Sequence, residues 1–301
     1  MEILSKCNIC PRNCGVNRAI NHGICNVSWN VRIARAALHY WEEPCISGDN
    51  GSGAVFFSGC GLHCVFCQNE EISHGLGEEI TINRLSEIFL ELQEKGANNI
   101  NLVTGTQFIP AIVEAVQSAR AYNLTIPIIY NTSGYETVDS LKMLEDIVDV
   151  YLPDFKYFDA NLALKYSKAL DYPEVVKRAL DEMFRQQPKV IFDENGFIIK
   201  GVIVRQLLLP GHVKDAQNII SYLHNKYGDN IYISLMSQYT PMSHIASDYP
   251  ELNRRVTGRE YKRLVDFAID LGVENAFIQE RTVAKESFIP DFNGEGIHAK
   301  N

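Results

Sequence analysis

The stretch Ala54-Val55-Phe56-Phe57-Ser58-Gly59-Cys60-Gly61-Leu62-His63-Cys64-Val65-Phe66-Cys67 decides the fold of this chain. Its first four residues are apolar and predict a buried strand. The strand runs directly into a loop that carries three cysteines with the spacing C-x3-C-x2-C. Gly59 and Gly61 allow the loop to turn tightly. Three thiolates on one short loop can therefore converge on one metal cluster.

Strand and helix patterns alternate downstream of this stretch. Leu85, Ile88, Phe89 and Leu92, for example, have the i, i+3, i+4, i+7 spacing of an amphipathic helix. Tandem strand–helix units predict an α/β fold with a parallel sheet, because parallel neighbours need a crossover connection. A partial, open barrel fits the six units as well as a closed one does, and either places function at the carboxyl ends of the strands. The predicted strands are 54–57, 101–104, 126–130, 148–152, 202–204 and 231–235, with later helices over 215–226 and 259–271.

Composition predicts how the chain is organised. The segment 46–52 is rich in Gly, Ser, Asp and Asn and is the best domain boundary. We therefore predict a Cys-rich N-terminal region over 1–50, a barrel over 51–280 and a C-terminal tail over 281–301.

Charge and hydropathy narrow the classes of function. The net charge of −9 favours neither nucleic acid nor anionic membranes as partners. The sequence shows no secretory signal and no apolar run of membrane-spanning length, so we expect a soluble, cytoplasmic protein. All eight cysteines lie within the first 67 residues, which favours metal or redox chemistry over a disulfide framework.

A second set of cysteines precedes the barrel. Cys7, Cys10, Cys14 and Cys25 form a four-thiol set within 19 residues. We interpret this set as a second metal site that holds zinc or an auxiliary iron–sulfur cluster, with reduced free thiols as the alternative. Cys45 stands alone and is expected to be a buried structural cysteine.

Two alternatives to a catalytic cluster follow from the residues alone. A zinc ion at Cys60, Cys64 and Cys67 would need a fourth ligand, for which His63 and Cys45 are candidates. The whole chain could also be a non-catalytic accessory or electron-transfer protein that binds iron–sulfur or zinc.

The Cys60–Cys67 motif resembles that of the radical S-adenosylmethionine (SAM) superfamily, in which an aromatic residue, here Phe66, precedes the third cysteine. The continuation into Gln68-Asn69 looks like the activating enzymes of pyruvate formate-lyase, in a branch with an N-terminal Cys-rich region. Further stretches share this resemblance: Cys7-Asn-Ile-Cys10-Pro-Arg-Asn-Cys14, Trp41-Glu-Glu-Pro44, Ser47 to Gly53, Tyr130-Asn-Thr-Ser-Gly-Tyr135, Leu152-Pro-Asp-Phe-Lys156 and Leu235-Met-Ser-Gln-Tyr239.

This resemblance implies a fold, cofactors and a reaction. The fold is a partial (β/α)6 barrel, and Cys60, Cys64 and Cys67 hold a [4Fe–4S] cluster whose free iron binds SAM. A reduced cluster cleaves SAM to methionine and a 5′-deoxyadenosyl radical that abstracts hydrogen. The electron donor is expected to be a protein such as flavodoxin or ferredoxin. The substrate is a partner protein whose glycine becomes a radical, as for the activases, or a small molecule or peptide.

The resemblance also implies that Phe66 and several residues at the barrel mouth contact SAM. Thr104-Gly105-Thr106 replaces the Gly-Gly-Glu stretch that commonly binds the methionine amino group, so this chain lacks the expected carboxylate there. Asn131 and Ser133 match positions that face the cofactor, or else form a polar turn.

Asp154 and Lys156 project from one strand face because side chains alternate with period two. They match an activase pair near the methionyl carboxylate and ribose, or else form a surface ion pair. Arg205 and His212 are weaker candidates, and a lone loop histidine is usually only a polar residue.

Overall fold

A mostly parallel β-sheet with helices packed against it forms the framework of the chain. The structure is a computed structural model that describes residues 5–242, 245, 247–279 and 290–299. The strands are β1 (Arg32–His39), β2 (Ser52–Phe57), β3 (Glu78–Glu79), β4 (Ile100–Val103), β5 (Ile128–Thr132), β6 (Val150–Pro153), β7 (Ile191–Phe192), β8 (Ile198–Leu207), β9 (Tyr232–Met236) and β10 (Ala276–Ile278). The helices are α1 (Pro44–Ser47), α2 (Glu70–Ser73), α3 (Ile82–Glu94), α4 (Ile109–Ala121), α5 (Val138–Lys142), α6 (Ala160–Ser167), α7 (Tyr172–Gln186), α8 (Val213–Tyr227) and α9 (Gly258–Leu271).

The strand order confirms the predicted α/β class with a parallel sheet. Neighbouring strands follow the order β10-β9-β8-β6-β5-β4-β2-β1-β3, and every pair from β2 to β10 along this path is parallel. All six predicted strands are present. The described strands form an open path from β10 to β3, as a partial barrel requires.

Four strands extend the sheet beyond the prediction, namely β1, β3, β7 and β10. β1 lies antiparallel to β2, with His39 opposite Ser52, although its residues belong to the predicted Cys-rich region. β10 adds a seventh parallel strand beside β9. It is only three residues long, too short for a hydrophobic period to reveal it.

The helices bury the faces that their apolar periods predict. Leu85, Ile88, Phe89 and Leu92 of α3 are all buried. The helical region after β6 divides into α6 and α7, because Lys168 adopts a left-handed conformation at the end of α6. No helix in the described parts of the chain is both long and apolar enough to cross a membrane.

The described part of the predicted tail, residues 290–299, returns to β1 at the far side of the sheet. The Ala36 amide donates to the Glu295 carbonyl at 2.8 Å, and the Phe292 ring packs on that of Phe56. These contacts cover an edge strand that would otherwise expose unpaired backbone groups. Residues 281–289, 300 and 301 of the predicted tail lie outside the described residues, and the division into three regions stays a prediction.

Candidate active site

A cavity of about 680 Å³ opens at the carboxyl ends of the parallel strands and continues through the interior of the sheet. The cavity also reaches the residues that follow β1. Because β1 runs antiparallel to β2, it ends at the side of the sheet where the parallel strands begin. The cavity is therefore where parallel-sheet folds place their ligands. Its lining includes these residues predicted from sequence: Cys60, Cys64, Phe66, Cys67, Thr104, Asn131, Ser133, Asp154, Lys156 and Arg205.

The loop that carries the three cysteines is held by backbone contacts. The Gly59 amide donates to the Ile72 carbonyl at 2.6 Å, and the Val65 amide donates to the Tyr166 carbonyl at 2.9 Å. Gly59 has a φ of +85°, and a Cβ there would lie 2.5 Å from the Cys25 carbonyl oxygen. Only glycine fits this position, so the glycine predicted to let the loop turn is also the point where the N-terminal segment approaches it.

The three thiols lie in a mostly buried environment that also supplies a hydroxyl donor. The Ser167 hydroxyl donates to the Cys64 sulfur at 3.1 Å. Burial raises the pKa of Cys60 and raises that of Cys67 to about 12. Metal ligation requires the thiolate, so a metal bound here has to replace protons on these sulfurs.

The Phe66 side chain fixes the loop against the barrel rather than projecting freely. Its ring makes edge contacts with those of Tyr157, Tyr166 and Tyr239, at centroid distances of 6.3, 6.3 and 6.1 Å. Edge-to-face pairs of this kind stabilise beyond the area that they bury. Phe66, the aromatic residue of the motif, thus packs against the barrel and also lines the cavity.

Asp154 and Lys156 form an ion pair that faces the cavity. Burial alone would lower the pKa of the Lys156 ammonium, but the carboxylate of Asp154 and then the Cys64 thiol outweigh it, and the pKa is raised. The Tyr172 hydroxyl accepts the Lys156 amide at 3.0 Å and donates to the Asp154 carbonyl at 2.9 Å. The pair is therefore held at the cavity wall and is not a mobile surface pair.

Asn131 and Ser133 lie at the cavity next to this pair. The Thr104 amide donates to the Asn131 carbonyl at 2.9 Å, which joins the ends of β4 and β5. Thr104 has a φ of +60°, an uncommon conformation for a β-branched residue. Backbone strain of this kind often accompanies functional sites.

Gly105 and Thr106 depart from the expected position. Among the described residues that line the main cavity, neither is present. The Thr106 hydroxyl instead donates at 2.8 Å to the carboxylate of Glu136, a buried residue that also accepts from Thr132. Burial raises the pKa of Glu136 to about 7. A carboxyl group thus lies beside the second-strand motif, although it comes from the segment after β5 and the sequence analysis did not identify it.

A buried ion-pair network lies in the barrel interior. The Arg205 guanidinium contacts the carboxylates of both Glu42 and Glu43, with a distance of 2.9 Å from Nε to Glu43 Oε1. Burial alone would raise the pKa of Glu43, but Arg205 outweighs it and holds the pKa below its ordinary value. Asn101 also donates to Glu42, at 2.9 Å. The stretch Trp41-Glu-Glu-Pro44, which the family resemblance singled out, contains both glutamates of this network. Residue spacing alone did not predict their contact with Arg205.

Three other residues have clear structural places. The Gln107 side chain donates to the carbonyls of Ser58, Gly59 and Thr104 at 2.8–3.0 Å, and so ties the cysteine loop to the end of β4. His212 lies 3.0 Å from the Tyr166 hydroxyl, away from the cavity lining. Cys45 is buried in a separate apolar cluster, as predicted.

The N-terminal thiols lie behind the cysteine loop. A small cavity of about 20 Å³ is lined by all four of them and by part of the loop. Its lining includes Cys7, Cys10, Cys14, Cys25, Cys60, Gly61 and Leu62. The structure therefore brings the two cysteine sets of the sequence side by side.

Comparison with known families agrees with this geometry. The family model of the radical SAM superfamily matches residues 54–198, from β2 into β8. This region is a radical SAM domain. The chain therefore carries a domain that is similar to those of radical SAM enzymes, and the cavity at the carboxyl ends of the strands is the candidate active site.

Two other comparisons extend the similarity to most of the chain. An uncharacterized protein of Methanocaldococcus jannaschii is 29% identical over 276 residues, which cover 89% of this chain and 75% of that protein. The solved structure of native anSMEcpe with bound AdoMet matches 71% of this chain and 57% of its own, with a TM-score of 0.50 and 13% identity. At that identity the likeness shows the fold alone, and this chain spans little more than half of the solved one.

A domain of a pyruvate-formate lyase-activating enzyme from Bacteroides vulgatus also matches. The match covers 57% of this chain and 89% of that domain, with 13% identity and a TM-score of 0.40.

Proposed function

We propose that this enzyme binds a [4Fe–4S] cluster through Cys60, Cys64 and Cys67 and uses it to cleave SAM reductively. The observation that carries the proposal is that the three thiols of one loop line the same cavity as the Asp154–Lys156 pair. Three protein ligands leave one iron of a four-iron cluster open for a substrate. The superfamily match supports this cofactor pair.

The surroundings of the loop argue against a zinc ion there. His63, one candidate for a fourth ligand, has its Nε2 atom 2.8 Å from the Ile24 carbonyl. Cys45, the other candidate, lies in a separate apolar cluster with Ile46 and Ile129. With both candidates engaged elsewhere, the loop lacks the fourth ligand that a zinc site would need, and it offers the three thiols that a [4Fe–4S] cluster would take.

The chain's own residues supply the groups that SAM requires. The Lys156 ammonium can pair with the methionyl carboxylate, and the Asp154 carboxylate can accept from the methionyl ammonium or the ribose hydroxyls. The Asn131 amide and the Ser133 hydroxyl add neutral hydrogen-bonding groups at the same wall. These groups would orient SAM while the cavity limits the access of water.

When bound, the reduced cluster supplies one electron, which splits SAM into methionine and a 5′-deoxyadenosyl radical. The electron has to come from a low-potential donor, for which a flavodoxin or ferredoxin is suitable. The radical then takes a hydrogen atom from the substrate and becomes 5′-deoxyadenosine.

For the substrate we favour a glycine residue of a partner protein, as in the activases that the sequence resembles. The described sheet does not close on itself, because its strand order ends at β10 on one side and at β3 on the other, so the barrel around the cavity is open. An open side of this kind is compatible with a protein segment as well as a small molecule.

Binding and substrate are tested separately. With dithionite-reduced protein, SAM is expected to change the electron paramagnetic resonance spectrum of the cluster in wild type. An unchanged spectrum at saturating SAM would contradict the proposed site. For the substrate, pyruvate formate-lyase labelled with α-dideuterated glycine serves as a probe. Deuterium in the 5′-deoxyadenosine supports a glycine substrate, whereas 5′-deoxyadenosine without deuterium contradicts this probe protein as the substrate.

A further inference from the structure

We propose that Cys7, Cys10, Cys14 and Cys25 form a second, anionic metal centre that holds the Cys60–Cys67 loop in place. The first observation is the arrangement of the thiols. All four line one small cavity, which also contacts Cys60 and Gly61. Four thiolates select a thiophilic metal, which is zinc or iron in most proteins.

A buried positive charge next to these thiols points independently to a bound anion or metal–thiolate centre. Arg18 is fully buried, and its Nη1 atom lies 4.0 Å from the Cys7 sulfur. Its other hydrogen bonds go to the backbone carbonyls of Ser28 and Gln107. The Nε atom has no hydrogen-bond partner within the described residues.

Among the residues that the structure describes, no carboxylate neutralises this guanidinium. In the described parts of the chain, Arg18 forms no ion pair with Asp or Glu; it lies between the rings of Trp29 and Phe108, with its carbon 5.5 and 5.6 Å from the ring centroids. A buried cation without a counter-charge is strongly unfavourable. A metal bound by four thiolates carries net negative charge and would supply that counter-charge, whereas four neutral thiols would not.

The same N-terminal segment grips the cysteine loop of the active site. Arg12 lies between Cys10 and Cys14, and its guanidinium donates to the carbonyls of Gly61 at 2.7 Å and Leu62 at 3.3 Å. It also donates to two carbonyls at the end of α6, those of Ser167 at 2.8 Å and Lys168 at 2.6 Å. The Arg12 side chain thus joins the four-thiol segment to the cysteine loop and to α6, the helix that carries Ser167, the donor to Cys64.

Contacts with backbone groups of the N-terminal segment also hold the cysteine loop in place. Gly59 closely approaches the Cys25 carbonyl, and the His63 ring pairs with the Ile24 carbonyl. If the four thiols are tied by a metal, residues 7–25 become a rigid support against which the loop is ordered. This role of the second centre rests on the proposed function of Cys60, Cys64 and Cys67, but the existence of the centre does not.

The existence of the centre is tested by metal analysis of a variant in which Cys60, Cys64 and Cys67 are all alanine, so that the four N-terminal cysteines remain. After anaerobic incubation with zinc, or with iron and sulfide, and removal of loose metal, we expect about one zinc or about four irons per chain. Either result supports the centre and identifies its metal. Absence of both overturns it, whatever the outcome for SAM cleavage.

Two further variants test specificity and role. Replacing Cys7, Cys10, Cys14 and Cys25 by serine should remove that metal, whereas Cys45→Ala should keep it; metal that survives the serine variant would overturn the assignment. For the role, Arg12→Gln leaves all eight cysteines intact. It should retain the N-terminal metal but lose iron from the Cys60 loop faster than wild type when challenged with a chelator, with Arg12→Lys between the two. An unchanged rate of loss in Arg12→Gln would contradict the support role.

Discussion

The Ser167 hydroxyl lies 3.1 Å from the Cys64 sulfur and donates a hydrogen bond to it. Ser167 is the last residue of α6, and its hydroxyl also lies 2.7 Å from that of Tyr157. The sulfur of a proposed cluster ligand is thus contacted by a donor from outside its own loop. Hydrogen bonds to ligating sulfurs are one of the means by which proteins set the reduction potential of a cluster.

Ser167→Ala should make the cluster harder to reduce. Loss of the donor removes stabilisation of the extra negative charge in the reduced state, so the midpoint potential should become more negative. The measurement is a potentiometric titration followed by electron paramagnetic resonance. Ser221→Ala, on α8 and outside the active-site cavity, is the control. A Ser167→Ala potential equal to that of the control would mean that this hydroxyl does not tune the cluster.

Lys156→Met should weaken SAM binding while leaving the cluster in place. The variant removes the ammonium that we expect to pair with the methionyl carboxylate. Loss of one hydrogen bond to a charged group costs about 1.5–3 kcal/mol, which corresponds to roughly a tenfold to hundredfold rise in Kd. Isothermal titration of the anaerobic, cluster-loaded protein gives the Kd. Lys165→Met, which removes a lysine paired with Glu251 at the surface, should leave the Kd unchanged; equal values for the two variants would exclude Lys156 from the SAM site.

Arg205→Met should destabilise the fold strongly. The substitution leaves the carboxylates of Glu42 and Glu43 buried without their cation, which typically costs about 3–5 kcal/mol. Urea unfolding compared with wild type measures the change in the free energy of unfolding. Arg185→Met removes a more exposed arginine that pairs with Glu182 and should lower the free energy of unfolding far less. A similar small loss for Arg205→Met would show that the interior network does not hold the barrel together.

Glu136 should make stability depend on pH between about 4.5 and 7. Its pKa is raised from 4.5 to about 7 in the folded chain, so the folded state binds the proton more tightly than the unfolded state. The contribution is fully present below the unfolded pKa and is lost as pH rises through the folded one. The loss is roughly 3 kcal/mol in total by linkage.

Glu136→Gln removes this titration. The difference in unfolding free energy, wild type minus variant, should therefore fall as pH rises from 5 to 8, as measured by urea unfolding at several pH values. Because all other groups are common to both proteins, they cancel in the difference. A constant difference across this range would show that Glu136 is not protonated preferentially in the folded state.

Most of the fold could be predicted from the alternation of strand and helix patterns and from the cysteine spacing. Local hydrophobic patterns are direct signals for elements such as β4 and α3, and each predicted parallel strand was found. β1 was missed because its sequence lies among cysteines and its pairing with β2 is a long-range event. β10 is three residues long, which is below the length at which a period can be recognised.

The candidate site likewise contains some residues that the sequence predicts and some that it does not. Residues at or just after the ends of strands, such as Asn131, Ser133 and Asp154, could be placed at the cavity because parallel strands end at one edge. Glu136 and Arg12 could not, since they act on segments far away in sequence: Glu136 on the Thr106 hydroxyl, and Arg12 on the Gly61 carbonyl. Such contacts depend on tertiary packing, which a pattern of residues does not encode locally.

The most direct test of the central claim is mass-spectrometric detection of 5′-deoxyadenosine. Wild type, Cys64→Ala and Cys45→Ala are reconstituted anaerobically with iron and sulfide, then given dithionite and SAM. We predict 5′-deoxyadenosine and methionine from wild type and from Cys45→Ala, and neither from Cys64→Ala. Equal product from Cys64→Ala, or none from wild type that holds a reduced cluster and bound SAM, would contradict the account.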